Sequence, residues 1–176
     1  MAVKVGLLWL ASVILVSHAA CPTFWTEFGS NCYMYVGNPS SNWQEAEAYC
    51  VTEGAHLVSI HSKSEEQFVQ AIWRRSRDSF TLFPKKLTDT LPPVSLAPFV
   101  YIGLNDRAEN GNFVWTDGSA VDYTNWMRNN PSTDAVWGPA EDGVMMWDRK
   151  RQRGKWNDVR SGSPLLKGPF ICQKPS

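Results

Sequence analysis

Few side chains in this sequence are equipped for covalent or proton-transfer chemistry. Beyond the first twenty residues the histidines are His56 and His61, and no HExxH, GxSxG or paired Cys–His spacing accompanies them. The reading is therefore a binding protein rather than an enzyme. The chain does carry oxygen-rich and charged groups: an acidic pair, Glu141-Asp142, and an amide–acid pair, Asn157-Asp158. It also carries a run of cations, Arg149, Lys150, Arg151, Arg153 and Lys155. The run reads either as a solvated hairpin turn or as an anion-binding patch for sulfated or sialylated glycans. Four cysteines, Cys21, Cys32, Cys50 and Cys172, complete the reactive set, and their meaning depends on the compartment.

The N-terminal residues point to that compartment. Lys4 precedes an apolar run, Gly6 to Val16 (GLLWLASVILV). It falls well short of the roughly 20 residues that span a bilayer and suits the core of a signal peptide. Ser17-His18-Ala19 places small residues at the −3 and −1 positions, so a signal peptide of residues 1–19 is expected, cleaved after Ala19 or one residue later. The mature domain, 20–176, is then secreted and extracellular. Secretion makes the cysteines disulfide candidates with three pairings on paper. The stretch CPTFWTEFGSNC reads as a hairpin turning at Gly29-Ser30-Asn31, which favours Cys21–Cys32. Cys50–Cys172 would then close a loop of about 120 residues, a constraint of roughly 4–5 kcal/mol in chain-entropy terms.

Composition narrows the classes further. The 176 residues hold 17 basic and 17 acidic groups, so the chain lacks the basic excess of a dedicated nucleic-acid binder. At 43% apolar residues it is too hydrophobic for a disordered chain, and its length suits one domain with a real core.

The elements that must position these groups can be read in order. A first helix is expected over Trp43 to Glu53, opened by Ser41-x-x-Gln44 as a capping box and stopped by Gly54, with Trp43, Ala46 and Cys50 on one face. A strand, Leu57 to Ile60, follows. A second helix is expected from about Ser64 to Arg75, opened by Ser62-x-x-Glu65 or by Ser64, with Phe68, Ile72 and Trp73 marking its buried side. Residues 76–98 are polar and Pro-rich and read as a long excursion within the domain. Strands are expected at Phe99 to Leu104, at Asn112 to Thr116, and at Phe170 to Cys172. A hairpin of Val144 to Trp147 with Lys155 to Val159 turns near Gly154, and a polar loop runs from Arg128 to Asp142. Helices first and short strands later indicate an α+β domain with loop-borne function.

These landmarks together resemble the C-type lectin-like domain family. The matching motifs are CPTFWTEFGSNCY, WQEAEAYC, GAHLVSIHSKSE, YIGLND, GNFVWTDGSAVDYTNW, Glu141-Asp142, GKWNDV and PFIC, in the family's order over nearly the whole mature chain. GNFVWTDGSAV is especially similar to small secreted invertebrate members. The resemblance implies two helices packed on small antiparallel sheets, with a long ligand-binding loop region. The inner disulfide usual in the family is absent, since Gly143 and Ser161 stand at its two positions.

The resemblance also implies a Ca²⁺ site. Ca²⁺ takes about six to eight oxygen ligands. In sugar-binding members a tripeptide with a central proline supplies two of the ligands, typically Glu-Pro-Asn or Gln-Pro-Asp. Here it is Asn130-Pro131-Ser132, with Asn130-Pro131 the candidate cis bond. Glu141, Asn157 and Asp158 match the other ligands. The metal set implied is thus Asn130, Glu141, Asn157 and Asp158, and the carbohydrate set adds Ser132 and Trp137. Two carboxylates replace the usual three, which weakens the site because ligand charge tunes affinity; Asp134 would fill the gap if the loop folds back. Two structural readings stand beside these: Asn157-Asp158 as a turn organiser, and Trp137 as a loop anchor rather than a sugar-stacking ring. An auxiliary site is partly matched by Asp106, Glu141 and Asp142, with Asn110 where Glu is usual.

The implied function is Ca²⁺-dependent recognition of glycans on cell or microbial surfaces, in innate recognition or agglutination. The alternative is a module of the same fold that binds protein or mineral in the extracellular matrix without sugar. No nucleic-acid partner and no membrane span are expected, and the oligomeric state is not legible.

Overall fold

The computed structural model describes residues 21–81, 97–132 and 140–176. The expected signal peptide, most of the Pro-rich segment, Asp134 and Trp137 lie outside those residues.

The described chain runs β1 (Thr26–Phe28), β2 (Asn31–Ser41), α1 (Trp43–Thr52), β3 (His56–Leu57), α2 (Lys63–Thr81), β4 (Phe99–Asn105), β5 (Val114–Trp115), β6 (Gly143–Trp147), β7 (Trp156–Val159) and β8 (Gly168–Pro175). The strands join in the order β1-β2-β8-β4-β6-β7, with β3 added to β8 and β5 to β4. Pairing is antiparallel except where β4 meets β8 at Tyr101 and Phe170. This is the expected α+β architecture.

Each end of the described chain is tied to the first half of the fold. The β1–β2 hairpin turns at Gly29 and Ser30, and Cys21 bonds Cys32 across it with Cα atoms 5.6 Å apart. Cys50 of α1 bonds Cys172 of β8 at 5.4 Å. The first helix begins one residue later than its expected capping box. Asn42 is the cap: its side chain accepts from Glu45 N at 2.9 Å, and Glu45 Oε2 accepts from Asn42 N at 3.0 Å. Ser41 instead ends β2, paired to Gly168. The expected face of Trp43, Ala46 and Cys50 is buried.

Two other elements depart from the sequence pattern for physical reasons. The ladder at β3 is shorter than expected because the next hydrogen bonds go to different partners. Val58 N donates to Ile171 O, Gly103 N donates to Val58 O, and Ser59 N is taken by the side chain of Gln173. Helix α2 opens on Ser62, whose Oγ accepts from Glu65 N at 3.1 Å, but continues to Thr81, into the segment expected as excursion. Its buried face centres on Val69 and Trp73, both fully buried, with Phe68 and Ile72 at the margin. Strand β4 is buried throughout and sorts its side chains by alternation. Val100, Ile102 and Leu104 join a core with Trp73, Trp115 and Trp156, while Phe99 and Tyr101 join a second with Trp43 and Phe170.

A cleft of about 510 Å³ opens at the C-terminal end of β8, with Ser59, His61, Asp117 and Gln173 in its lining. Asp117 receives Ser59 Oγ at 2.6 Å and both N and Oγ of Ser119 at 2.9 and 2.5 Å, and His61 Nδ1 lies 2.8 Å from Asp122. Burial pushes the Asp117 carboxyl up, but the bonds from Ser119 and Ser59, with the His61 charge, outweigh burial and hold it below its ordinary value.

Two outcomes are expected. A Cβ on Gly103 would stand 2.5 Å from Leu57 O and 2.7 Å from Thr116 Oγ1. Gly103→Ala should therefore cost about 1–3 kcal/mol in urea unfolding, since the backbone it meets cannot swing away. Because the folded Asp117 value is depressed, its contribution is present above the ordinary carboxylate pKa and is lost as pH falls through the folded value. Asp117→Asn should flatten the acid limb of a melting-temperature series between about pH 2 and 5; an unchanged limb would show the carboxylate to be irrelevant.

Candidate functional site

The candidate site forms where the segment after Trp126 folds back onto β7. Strand β7 pairs with β6 so that Asn157 faces Met145 and Asp158 faces Val144. Trp156 and Asp158 are both buried and, by strand alternation, share a face. Trp156 is the hub of an aromatic cluster, edge-on to Trp115 (5.7 Å), Tyr123 (5.7 Å) and Trp126 (6.0 Å). Asp158 thus projects from a rigid base. The returning segment is pinned to the same strand: Trp156 N donates to Asn125 O at 3.0 Å, and Met127 N donates to Trp156 O at 2.9 Å. A turn follows, in which Asn130 N donates to Met127 O and Asn129 adopts a positive φ of 64°, a conformation asparagine tolerates. The Asn130-Pro131 bond is cis, as is Asn38-Pro39.

This turn delivers Asn130 and Ser132 to Asp158. Asn130 Nδ2 donates to Asp158 Oδ1 at 2.8 Å, and Ser132 N donates to Asp158 Oδ2 at 2.7 Å. Ser132 Oγ contacts both Asp158 Oδ2, at 3.0 Å, and Glu141 Oε2. Asn157 stands beside the group and donates from Nδ2 to the main-chain oxygen of Asp158 at 2.6 Å. Of the residues singled out from the sequence, Asn130, Ser132, Glu141 and Asp158 come together, Asn157 adjoins them, and Trp137 lies outside the described residues. Asp106 and Asp142 are engaged elsewhere. Asp106 Oδ2 accepts from Gly111 N at 2.7 Å, and Asp142 Oδ1 accepts from Ser161 N at 2.9 Å.

The chemistry of the cluster is that of a hard-cation or polyol site. Its side-chain acceptors are all oxygens. The Ser132 hydroxyl has one proton yet lies within hydrogen-bonding reach of two carboxylates, so the protein's own donors leave anionic charge uncompensated there. Among the described residues no group of three or more His, Cys, Asp or Glu gathers at one point. Among the described residues a cation here would find two carboxylates, with neutral amide and hydroxyl oxygens for the rest.

Sequence reading missed the group that holds the returning segment. Glu66 of α2 is fully buried and accepts from Asn125 Nδ2 at 2.7 Å, Tyr123 OH at 2.9 Å, Gln70 Nε2 at 3.0 Å, and Lys63. Asn125 also donates to Gly154 O and accepts from Lys155 Nζ. Gly154 has φ of 74°, and a Cβ there would stand 2.3 Å from Gln70 Nε2, so only glycine lets the hairpin approach this network. In the sequence Glu66 is indistinguishable from an ordinary first-turn acid. Where the inner disulfide is missing, Gln44 Nε2 donates to Ser161 Oγ at 2.9 Å, and the Trp43 ring occupies the space beside Gly143.

Glu66→Gln should replace one acceptor oxygen by a donor facing other donors, a loss of about 2–3 kcal/mol in urea unfolding for charge-assisted bonds. The loss should be accompanied by a change in Trp fluorescence from the Trp126–Trp156 pair. A variant as stable as the parent would show that the network does not fix the segment.

Comparison with known proteins places the fold. The chain matches the Lectin C-type domain family over residues 39–174. It is 38% identical over 136 residues to echinoidin of Heliocidaris crassispina, covering 72% of this chain and 80% of that protein. It is 35% identical over 181 residues to the alpha-N-acetylgalactosamine-specific lectin of Patiria pectinifera, covering 93% and 94%. The solved structure of C-type lectin CEL-I from Cucumaria echinata superposes with a TM-score of 0.68 at 30% identity, covering 88% of this chain and 97% of that one. With this order of helices and strands and this extent of similarity, the chain belongs to the C-type lectin domain family.

Proposed function

We propose that the protein is a secreted carbohydrate-binding domain that recognises glycans on cell or microbial surfaces through the cluster of Asn130, Ser132, Glu141 and Asp158, with Asn157 beside it. The observation that carries this reading is the convergence of Asn130 and Ser132 on Asp158, with Glu141 sharing the same hydroxyl. The names of the lectin relatives support carbohydrate as the ligand class. Ca²⁺ held by Asn130, Glu141, Asn157 and Asp158 belongs to the proposal. When bound, the cation supplies an electrophilic centre for two vicinal sugar hydroxyls. The side chains hydrogen-bond the same hydroxyls, so occupancy by metal and by sugar rise together. Trp137, in the same loop, is the proposed stacking surface for a galactose-like ring. A role in innate recognition or agglutination follows this reading, and agglutination requires more than one site per particle.

A second reading has a specific observation in its favour. Among the described residues two carboxylates enter the cluster, and Asn130 and Ser132 already donate to both oxygens of Asp158 without a metal. A domain of this kind would bind protein or mineral in the extracellular matrix without sugar.

Calcium and a chelator separate the two. The first reading expects Ca²⁺ to raise the melting temperature, with about 2.7 kcal/mol of stabilisation at a hundred times Kd. It also expects glycan-array binding that disappears with chelator and with Asn157→Ala or Asp158→Ala. No calcium shift and no retained glycan would remove the first reading in favour of the second.

A further inference from the structure

A third polar network, separate from the Asp158 cluster and from Glu66, centres on His61 in the connection between β3 and α2. Its imidazole joins segments remote in sequence. Nδ1 lies 2.8 Å from Asp122 Oδ1, and Nε2 lies 3.2 Å from Ser59 Oγ. Ser59 Oγ in turn donates to Asp117 Oδ2 at 2.6 Å. The main-chain N of His61 donates to Glu65 Oε2 at 2.7 Å, which fixes the backbone independently of the ring. Asp122 directly precedes Tyr123, whose hydroxyl donates to Glu66 and whose ring packs on Trp156. The His61 ring also lies 6.0 Å from Trp115, another neighbour of Trp156. His61 thus meets, through Asp122 and through Trp115, the aromatic base that carries Asp158.

The proton count selects one form of the ring. A neutral imidazole has one N–H and one bare nitrogen. The Ser59 hydroxyl has a single proton, and its short contact with the Asp117 carboxylate uses it. A neutral ring that donates from Nδ1 to Asp122 then turns a bare Nε2 toward a hydroxyl with no proton left to give. Ser59 is 1% exposed, so water has little access to that contact. The other neutral tautomer fills the Ser59 contact but sets a bare Nδ1 against a carboxylate. The doubly protonated ring fills both contacts at once.

The charged groups around the ring suit that form. Asp117 and Asp122 come from the segment after β5. Glu65 comes from α2, where its other oxygen accepts from Tyr33 OH at 2.6 Å, and Lys63 is paired with Glu66. Across the cleft, His56 of β3 lies 2.6 Å from Glu47, and Lys174 of β8 lies over the Trp25 ring with its Nζ donating to Glu53 O. The bond from His61 holds the Asp122 carboxyl below its ordinary value.

We infer that His61 is a positioning residue for the ligand site: doubly protonated, it clamps Asp122, and with it the segment leading to Asn130 and Ser132, onto the connection before α2, so the site is held most firmly in mildly acidic surroundings. That the segment serves a glycan rests on the carbohydrate reading above; the clamp does not. Its two partners set the pH window. Because the folded Asp122 value is depressed, its share is present above the ordinary carboxylate range, about pH 4, and is lost as pH falls through the folded value. On the alkaline side the clamp is lost as the imidazole gives up its second proton, a change this side chain makes between about pH 5 and 8.

The test uses the whole chain, whose histidines beyond the first twenty residues are His56 and His61. Amide hydrogen exchange is read at Met127 and Trp156, whose N–H groups tie the segment to β7. It is expressed as protection factors, so that the intrinsic effect of pH on exchange cancels. In the parent, protection at pH 5.5 should exceed that at pH 8 by about two- to fivefold, the range for a partly exposed ion pair. His61→Gln and Asp122→Asn keep the main-chain bond to Glu65 and should each give equal protection at the two pH values. His56→Gln should behave as the parent. Binding to galactose-bearing polyacrylamide at saturating Ca²⁺ should be about two- to fivefold tighter for the parent than for His61→Gln at pH 5.5, with the two curves converging at pH 8. The inference is overturned if the parent is equally protected at both pH values, if His61→Gln or Asp122→Asn keeps the difference, or if His56→Gln removes it. It is equally overturned if parent and His61→Gln bind the polymer with the same pH profile. Absence of polymer binding at every pH, with the protection pattern intact, would mark the failure of the carbohydrate reading and leave the clamp standing.

Discussion

A carboxylate with no solvent exposure must have every acceptor filled, and Glu66 imposes that requirement at the centre of this domain. Its partners come from α2 itself and from the segment leading into the turn of Asn130 and Ser132, and Asn125 extends the network to the β6–β7 hairpin. None of these segments could shift alone without stranding a donor or an acceptor in the interior. The long polar stretch after β5 has little ladder of its own, so this network does for it what pairing does for a strand. The aromatic cluster around Trp156 then fixes the floor beneath it. Asn130 and Ser132 reach Asp158 because both ends of their turn are tied in this way.

Much of the frame was legible in the sequence. The face of α1, the first hairpin, the continuous apolar run of β4 and the β6–β7 hairpin each carry a periodicity or turn signal. The misses share a cause: the deciding partner is remote in sequence. Asn42 caps α1 in place of Ser41 because Ser41 is committed to pairing with Gly168. The strand after α1 ends early because Gln173 supplies the acceptor for Ser59. Helix α2 outlasts its expected end as Arg77 is drawn to Asp148, 71 positions away. For the site, spacing alone said nothing of Asn130 meeting Asp158; the resemblance to a family did. It was silent on Glu66, whose type and position look like those of any acid near a helix start.

Strand β7 and its turn also sort charge. One end gathers the carboxylates of Glu141 and Asp158 on the Ser132 hydroxyl, and the other brings Arg74, Arg77 and Arg153 to the buried Asp148. The zero net charge of the chain is therefore an average of opposite local fields. With a Debye length of about 8 Å at physiological salt, each field acts mainly on what touches it.

The positions of the missing inner disulfide give the molecule a division of labour under reducing conditions. Covalent cross-links are confined to the frame, where Cys21–Cys32 secures the first hairpin and Cys50–Cys172 joins α1 to β8. The loop half is tied to α1 by Gln44, which donates to Ser161, and by the Trp43 ring lying against Gly143, while Ser161 N donates to Asp142 within the loop half itself. None of those ties can be reduced. A thiol reductant therefore acts on these loops only by loosening the scaffold as a whole, since thiol–disulfide exchange has no handle within them.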